Sequence, residues 1–273
     1  MPVYLASCKD GRKMKEKIQG TEIHYRIEGQ GMNKVLLLHG WGCDMKLMQP
    51  VSDALSSDYQ IMMVDFPGHG ESNRPPEPWG VPEYAHCLEE LLRRTGFYPC
   101  SVIAHSFGCR VTAWLEVEAP EMFQKIVFTG AAGIRPKLSE ASRKRSEEYR
   151  RLKGYSEKLK KIPLFKGAAE SWERKLREKY GSRDYNALDE EMRKTFVRVI
   201  NLDLTDLYER FQASTLLIWG DADTETPLWM GREMEKRIPD AGLVILEGGT
   251  HFAYLEQLQR FVVIIRQFLK GDE

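Results

Sequence analysis

The 273-residue chain has no net charge, because 40 Lys and Arg offset 40 Asp and Glu. Domains that neutralise phosphate backbones are usually strongly basic, so nucleic acid is not an expected partner. There is no uninterrupted run of about 18 apolar residues, the length a membrane span requires. The longest apolar stretches, such as Val35 to Leu38 and Phe261 to Ile265, suit a strand or one face of a helix, and no membrane insertion is expected. Cys8, Cys43, Cys87, Cys100 and Cys109 form no C-x-x-C pair, and no Asn lies in an N-x-S/T sequon. That usage predicts a reduced, cytoplasmic chain. Leu5-Ala6-Ser7-Cys8 looks like a lipoprotein cleavage box, but only Met1 to Tyr4 precede it. A working leader would need a basic segment and about 7 to 15 apolar residues there, so no lipid anchor is expected. The six histidines show neither H-x-x-x-H nor H-x-H spacing, and no metal site is expected. G-x-G-x-x-G and the P-loop are absent as well, which leaves no motif for a nucleotide or other cofactor. Nothing in the sequence sets the oligomeric state.

What is present is 42% hydrophobic residues in a chain long enough for one large core, without disulfide or metal staples. Residues 13–28 alternate apolar and polar about Gly20, which predicts an antiparallel hairpin. Short apolar runs then recur at Val35 to His39, Gln60 to Phe66, Ser101 to His105, Lys125 to Thr129, Thr215 to Trp219 and Gly242 to Leu246. Loss of alternation is the mark of parallel strands covered on both faces. Helical spacing fills the intervals at Pro82 to Thr95, Phe107 to Ala119, Pro227 to Ile238 and Phe252 to Leu269. The alternation predicts an α/β fold with a mostly parallel, doubly wound sheet. Residues 133–212 break the rhythm and read as a helical insertion, with amphipathic windows at Ser139 to Leu152 and Asp189 to Ile200 and Asp189 as N-cap. The core is then 1–132 with 213–273. Residues 135–180 hold sixteen Lys and Arg against seven Glu and no Asp, a local excess of nine positive charges. Such an excess is first a set of solvated helix faces, and secondly a field that favours anionic ligands.

Ala104-His105-Ser106-Phe107-Gly108 sits where an apolar strand gives way to a helix. Small residues two before and two after Ser106 allow a tight turn that lifts the hydroxyl clear of the sheet. A serine becomes a nucleophile only when a base takes its proton and a third group fixes the base's tautomer. Downstream, the turn Gly220-Asp221-Ala222-Asp223 follows one strand and Glu247-Gly248-Gly249-Thr250-His251 follows the next. The order Ser, Asp, His falls at the carboxyl ends of strands, where open α/β sheets bind ligands, and leaves Asp221 and Asp223 both open as the acid. Gly130-Ala131-Ala132-Gly133, the other turn where an acid could sit, has none. An oxyanion needs backbone donors, and Phe107, after the serine, and Trp41, in the turn His39-Gly40-Trp41-Gly42, are placed to supply them. His39, Gly40 and His105 belong to the pocket wall or its support, and Asp65 and His69 build their own loop.

These pieces, with Asp65-Phe66-Pro67-Gly68-His69-Gly70-Glu71-Ser72 and Gly249-Thr250-His251-Phe252 followed by Glu256, resemble the α/β-hydrolase superfamily from about residue 20 to 270. The resemblance implies Ser106 as nucleophile, His251 as base, Asp223 rather than Asp221 as acid, and residues 133–212 as a cap. Ala104 stands where the family usually has glycine, and Cys109 where a second glycine is common. A serine at the elbow excludes the dehalogenase and epoxide-hydrolase branches. What the resemblance leaves is hydrolysis of a small carboxylic ester, thioester, lactone or amide, C–C hydrolysis of a vinylogous diketone, or a hydrolase-like ligand-binding signalling protein.

Overall fold

The computed structural model describes residues 12–135, 140–181 and 183–270, so the Leu5 to Cys8 box lies outside the described residues. Eight strands form one sheet: β1 (Arg12–Ile18), β2 (Thr21–Glu28), β3 (Lys34–Leu38), β4 (Gln60–Val64), β5 (Cys100–His105), β6 (Phe123–Thr129), β7 (Ser214–Gly220) and β8 (Ala241–Leu246). Their order is β1-β2-β4-β3-β5-β6-β7-β8. The first pair is the expected antiparallel hairpin, turning at Gln19 and Gly20, both with positive φ. β2 also runs antiparallel to β4, and every later pairing is parallel.

The inner strands β3 to β7 are largely apolar without alternation because both their faces are covered. Leu36, Leu38, Val102, Ala104, Ile126, Phe128, Leu217 and Trp219 face one buried cluster, which takes in α2 (Val81–Thr95), α3 (Phe107–Glu118) and α8 (Leu228–Arg237). Val35, Leu37, Ile103, Val127, Leu216 and Ile218 face the other, against α1 (Gln49–Leu55), α9 (Ala253–Glu256) and α10 (Leu258–Lys270). Burying surface at about 25 cal/mol per Å² on both sides makes this sheet the main stabilising element.

Two local differences from expectation have physical causes. Residues 252–269 were expected as one helix, but the backbone breaks at Gln257 (φ −121°, ψ 43°) between α9 and α10. Glu256 is turned back to hold Thr250 six residues earlier, a side-chain bond that helical periodicity does not register. α1 carries only seven residues, with Pro50 in its first turn, too few to show a period.

The described residues separate into two compact units, one within 12–134 and 198–270 and the other within 135–197. The smaller unit holds α4 (Glu140–Lys160), α5 (Lys166–Tyr180), α6 (Arg183–Ala187) and most of α7 (Glu190–Asn201). α4 and α5 form an antiparallel hairpin: Tyr149 meets Tyr180 near one end, and Ser156 Oγ donates to the Ala169 carbonyl near the other (3.0 Å). Asp189 caps α7, its Oδ1 accepting from the N–H groups of Glu191 and Met192 (3.1 Å each). Met192, Phe196 and Val199 are buried along the expected face.

Candidate active site

The parallel register brings the turns after five strands to one edge of the sheet. Leu38 pairs with Ala104, His105 with Thr129, Thr129 with Ile218, and Gly220 with Leu246. Ser106, between fully buried β5 and α3, has φ 50° and ψ −104°, a conformation that costs a non-glycine residue of order 1 to 3 kcal/mol. The surroundings enforce it. Ser106 N–H donates to the Thr129 carbonyl (3.2 Å), and the Ser106 carbonyl accepts from Cys109 (3.1 Å) and Ala132 (3.4 Å). Gly108 packs so closely on β3 that a Cβ there would lie 2.9 Å from Leu38 Cβ and from its carbonyl oxygen. Cys109 is fully buried, and its thiol donates to the Ala104 carbonyl (3.1 Å), which satisfies the one polar atom it adds at a position commonly glycine.

The two aspartates of the β7 turn do different things. Asp223 is buried and its Oδ2 accepts from Nδ1 of His251 (2.9 Å) and from Thr226 Oγ1 (2.8 Å). Its Oδ1 accepts from the N–H groups of Glu225 and Thr226 (2.9 Å each). Burial pushes this carboxyl up, but the hydrogen bonds from His251 and Thr226 outweigh it and hold Asp223 below the usual carboxylate range. Asp221 Oδ1 instead accepts from the Gly248 N–H (2.6 Å) and ties the two glycine turns together. The loop before His251 is held by Glu256, whose carboxylate accepts from the Thr250 N–H (2.8 Å) and from the Thr250 hydroxyl. The His251 ring lies against Gly130, where a Cβ would come within 3.1 Å of Nδ1. Gly130 thus sits between the Thr129 carbonyl that holds Ser106 and the imidazole that Asp223 holds.

The His39–Gly42 turn closes on the same edge. A Cβ on Gly40 would stand 3.3 Å from Ser106 Cβ and 2.8 Å from His105 Nδ1. Trp41 meets the Phe107 ring edge-on at 5.2 Å, so the turns carrying these two backbone N–H groups are in contact. Phe107 opens α3, and the first N–H groups of a helix have no acceptor within it. His39 Nε2 accepts from the Phe66 N–H (3.1 Å), which puts its proton on Nδ1, donated to the Gly40 carbonyl (2.8 Å). His39 therefore shapes the turn, and burial holds its pKa below 6.5. His105 donates from Nε2 to the His251 carbonyl (3.0 Å) with the two rings 4.7 Å apart. Burial and the neighbouring His251 push His105 down to about 3, so it stays neutral. Asp65 builds its loop as expected, accepting from the N–H groups of Met45 (2.8 Å) and Glu71 (2.9 Å) and from buried His24 (2.8 Å).

Thr226 was not among the residues expected from sequence, although its hydroxyl contacts both Asp223 and His251 Nδ1 (3.2 Å). The signal was local: an Asp in a turn accepts from the backbone N–H groups that follow it, here those of Glu225 and Thr226, which puts the Thr226 side chain beside the carboxylate.

The comparisons agree with this architecture. A pimeloyl-[acyl-carrier protein] methyl ester esterase of Neisseria meningitidis is 22% identical over 88% of this chain and 78% of its own. Among solved structures, an esterase from Exiguobacterium antarcticum superposes with a TM-score of 0.73 at 18% identity, covering 95% of this chain and 100% of that one. A meta-cleavage product hydrolase from Pseudomonas fluorescens IP01 superposes with a TM-score of 0.70 at 19% identity, covering 94% and 97%. Residues 35–263 match the alpha/beta hydrolase family, and the chain belongs to it.

Proposed function

We propose that the chain is a serine hydrolase that cleaves a small carboxylic ester, thioester or lactone through an acyl-enzyme on Ser106. The observation that carries this reading is the hydrogen bond from His251 Nδ1 to Asp223. With Nδ1 donating, the proton-free nitrogen is Nε2, the tautomer a general base needs. Ser106 Oγ attacks the carbonyl and gives its proton to His251 Nε2. Negative charge builds on the carbonyl oxygen, and the N–H groups of Trp41 and Phe107 receive it. Collapse expels the alcohol, which takes the proton back from His251. Water, deprotonated by the same imidazole, then frees the acid and restores Ser106. Ester and water balance the reaction, with no cofactor in any step.

Asp223 holds the imidazole in place, and Thr226 steadies the carboxylate. His39, Gly40 and His105 support the oxyanion turn and the histidine loop, while Asp221 ties the β7 turn to the glycine turn before His251 without touching the imidazole. We assign the inserted helical unit the role of cap that its place between β6 and β7 implies. A reducing, cytoplasmic location fits the free thiols of Cys43, Cys87, Cys100 and Cys109. The ester reading stands ahead of C–C hydrolysis because an esterase relative aligns in sequence over most of the chain, whereas the likeness to the meta-cleavage product hydrolase is one of fold.

Steady-state turnover of p-nitrophenyl butyrate tests the reading. Ser106→Ala should lower kcat by about 10⁴ to 10⁶ with the fold intact. Activity within about tenfold of wild type would remove Ser106 from the mechanism.

A further inference from the structure

The tip of the α4–α5 hairpin exposes apolar side chains to an extent that its own packing does not explain. Leu164 is 85% exposed, Ile162 47% and Phe165 46%, and every residue from 161 to 168 is exposed. Tyr155 and Leu159, also exposed, stand four and three residues apart from the next member of the set and extend the patch down one face of α4. Pro163 opens the short turn that presents Leu164 and Phe165. Lysines surround them. Residues 158–169 contain Lys158, Lys160, Lys161 and Lys166 and no acid. Lys160 turns inward to Glu173, which Arg177 also holds (3.1 Å). Lys158, Lys161 and Lys166 have no acidic partner among the described residues.

We propose that this tip docks on an anionic lipid bilayer, with Ile162, Leu164 and Phe165 entering the interfacial layer and Lys158, Lys161 and Lys166 at the headgroups. Apolar groups ringed by long cationic side chains are what such an interface accepts, since lysine stems lie along the apolar layer while their ammonium groups reach the phosphates. Charge selects this occupant over a second copy of the chain. Two copies meeting tip to tip would bring like lysines together, and residues 135–180 already carry sixteen basic residues against seven acids. The contact is adsorption, not a span, for no helix among the described residues is long and apolar enough to cross a membrane. It does not rest on the ester reading.

Co-sedimentation of the full chain with vesicles tests the proposal. One set is phosphatidylcholine alone, and the other contains about 30% phosphatidylglycerol to give an anionic surface. Binding is expected to the anionic vesicles, to weaken as salt rises from about 0.05 to 0.5 M, and to be much poorer on the neutral ones. Leu164→Asp with Phe165→Asp should lower affinity more than about tenfold. Lys158→Gln, Lys161→Gln and Lys166→Gln together should lower it by about a hundredfold, at about fivefold each. All these positions are exposed, and an unchanged thermal unfolding curve verifies that each variant folds. Equal binding by the Asp variant, or equal binding to both vesicle types, would overturn the proposal. So would an absence of vesicle binding, with self-association in sedimentation velocity that the Asp variant abolishes, because the occupant would then be a second copy.

Discussion

Replacing Asp223 with asparagine removes one negative charge and changes little else, so its effect can be worked from the hydrogen bonds. Oδ1 accepts two backbone N–H groups, from Glu225 and Thr226, and Oδ2 accepts from His251 and the Thr226 hydroxyl. An amide has a single oxygen. The two backbone donors cannot turn away, so that oxygen stays with them and the NH₂ group faces His251. Nδ1 must then accept, the imidazole proton moves to Nε2, and the base can no longer take the proton of Ser106. A wrong tautomer of this kind lowers kcat by about 10⁴, equivalent to about 5.5 kcal/mol in the barrier. Asp221→Asn is the matched control, because its single bond, from the Gly248 N–H, can pass to an amide oxygen. It should keep kcat within about threefold. Turnover of p-nitrophenyl butyrate by both variants, with thermal unfolding as a check on folding, decides the matter. Equal losses, or a larger loss at Asp221, would refute the assignment of the carboxylate.

The strain at Ser106 predicts that Ser106→Gly, although inactive, is more stable than Ser106→Ala by about 1 kcal/mol, a rise of about 2 °C in Tm by calorimetry. Equal Tm values would mean that φ 50° costs nothing there. The buried histidines predict acid sensitivity. His69, pushed down by burial and by His39, and His105 both titrate near 3 when folded, against 6.5 when not. Above pH 6.5 both states are neutral and the stability is complete. As pH falls toward 3 the unfolded chain takes up protons that the folded chain refuses, and each histidine withdraws up to about 1.4 kcal/mol per pH unit. Urea midpoints should therefore fall steeply from pH 6 to 4, and less steeply in His105→Gln. A flat profile over that range would contradict the burial argument.

Much of the fold was legible because the sheet is covered on both sides. Val102 and Ile103 are neighbours that face opposite clusters, so a run such as Ser101 to His105 needs no polar position and stands out from its surroundings. The turns were legible for a related reason. Residues such as Gly108, whose Cβ would strike Leu38, leave a recognisable pattern where chains approach closely. What escaped were features set by particular side-chain contacts rather than by the residue pattern. The break at Gln257 follows from Glu256 reaching back to Thr250, and the hydrogen bond from His105 to the His251 carbonyl spans 146 positions. Choosing Asp223 over Asp221 needed the resemblance, since two acids in one turn look alike until one is seen to touch the imidazole. The exposed tip at Leu164 escaped because apolar spacing alone does not tell which residues a helical hairpin leaves uncovered.

The central claim, that Ser106 is a nucleophile activated by His251, is tested most directly by covalent trapping. A fluorophosphonate reacts with an activated serine and mimics the tetrahedral species that the N–H groups of Trp41 and Phe107 would hold. Incubation with the probe, followed by peptide mass spectrometry, should give one adduct per chain, on Ser106, absent in Ser106→Ala and slowed by about 10³-fold or more in His251→Ala. An unlabelled Ser106, or labelling at the wild-type rate in His251→Ala, would contradict the account.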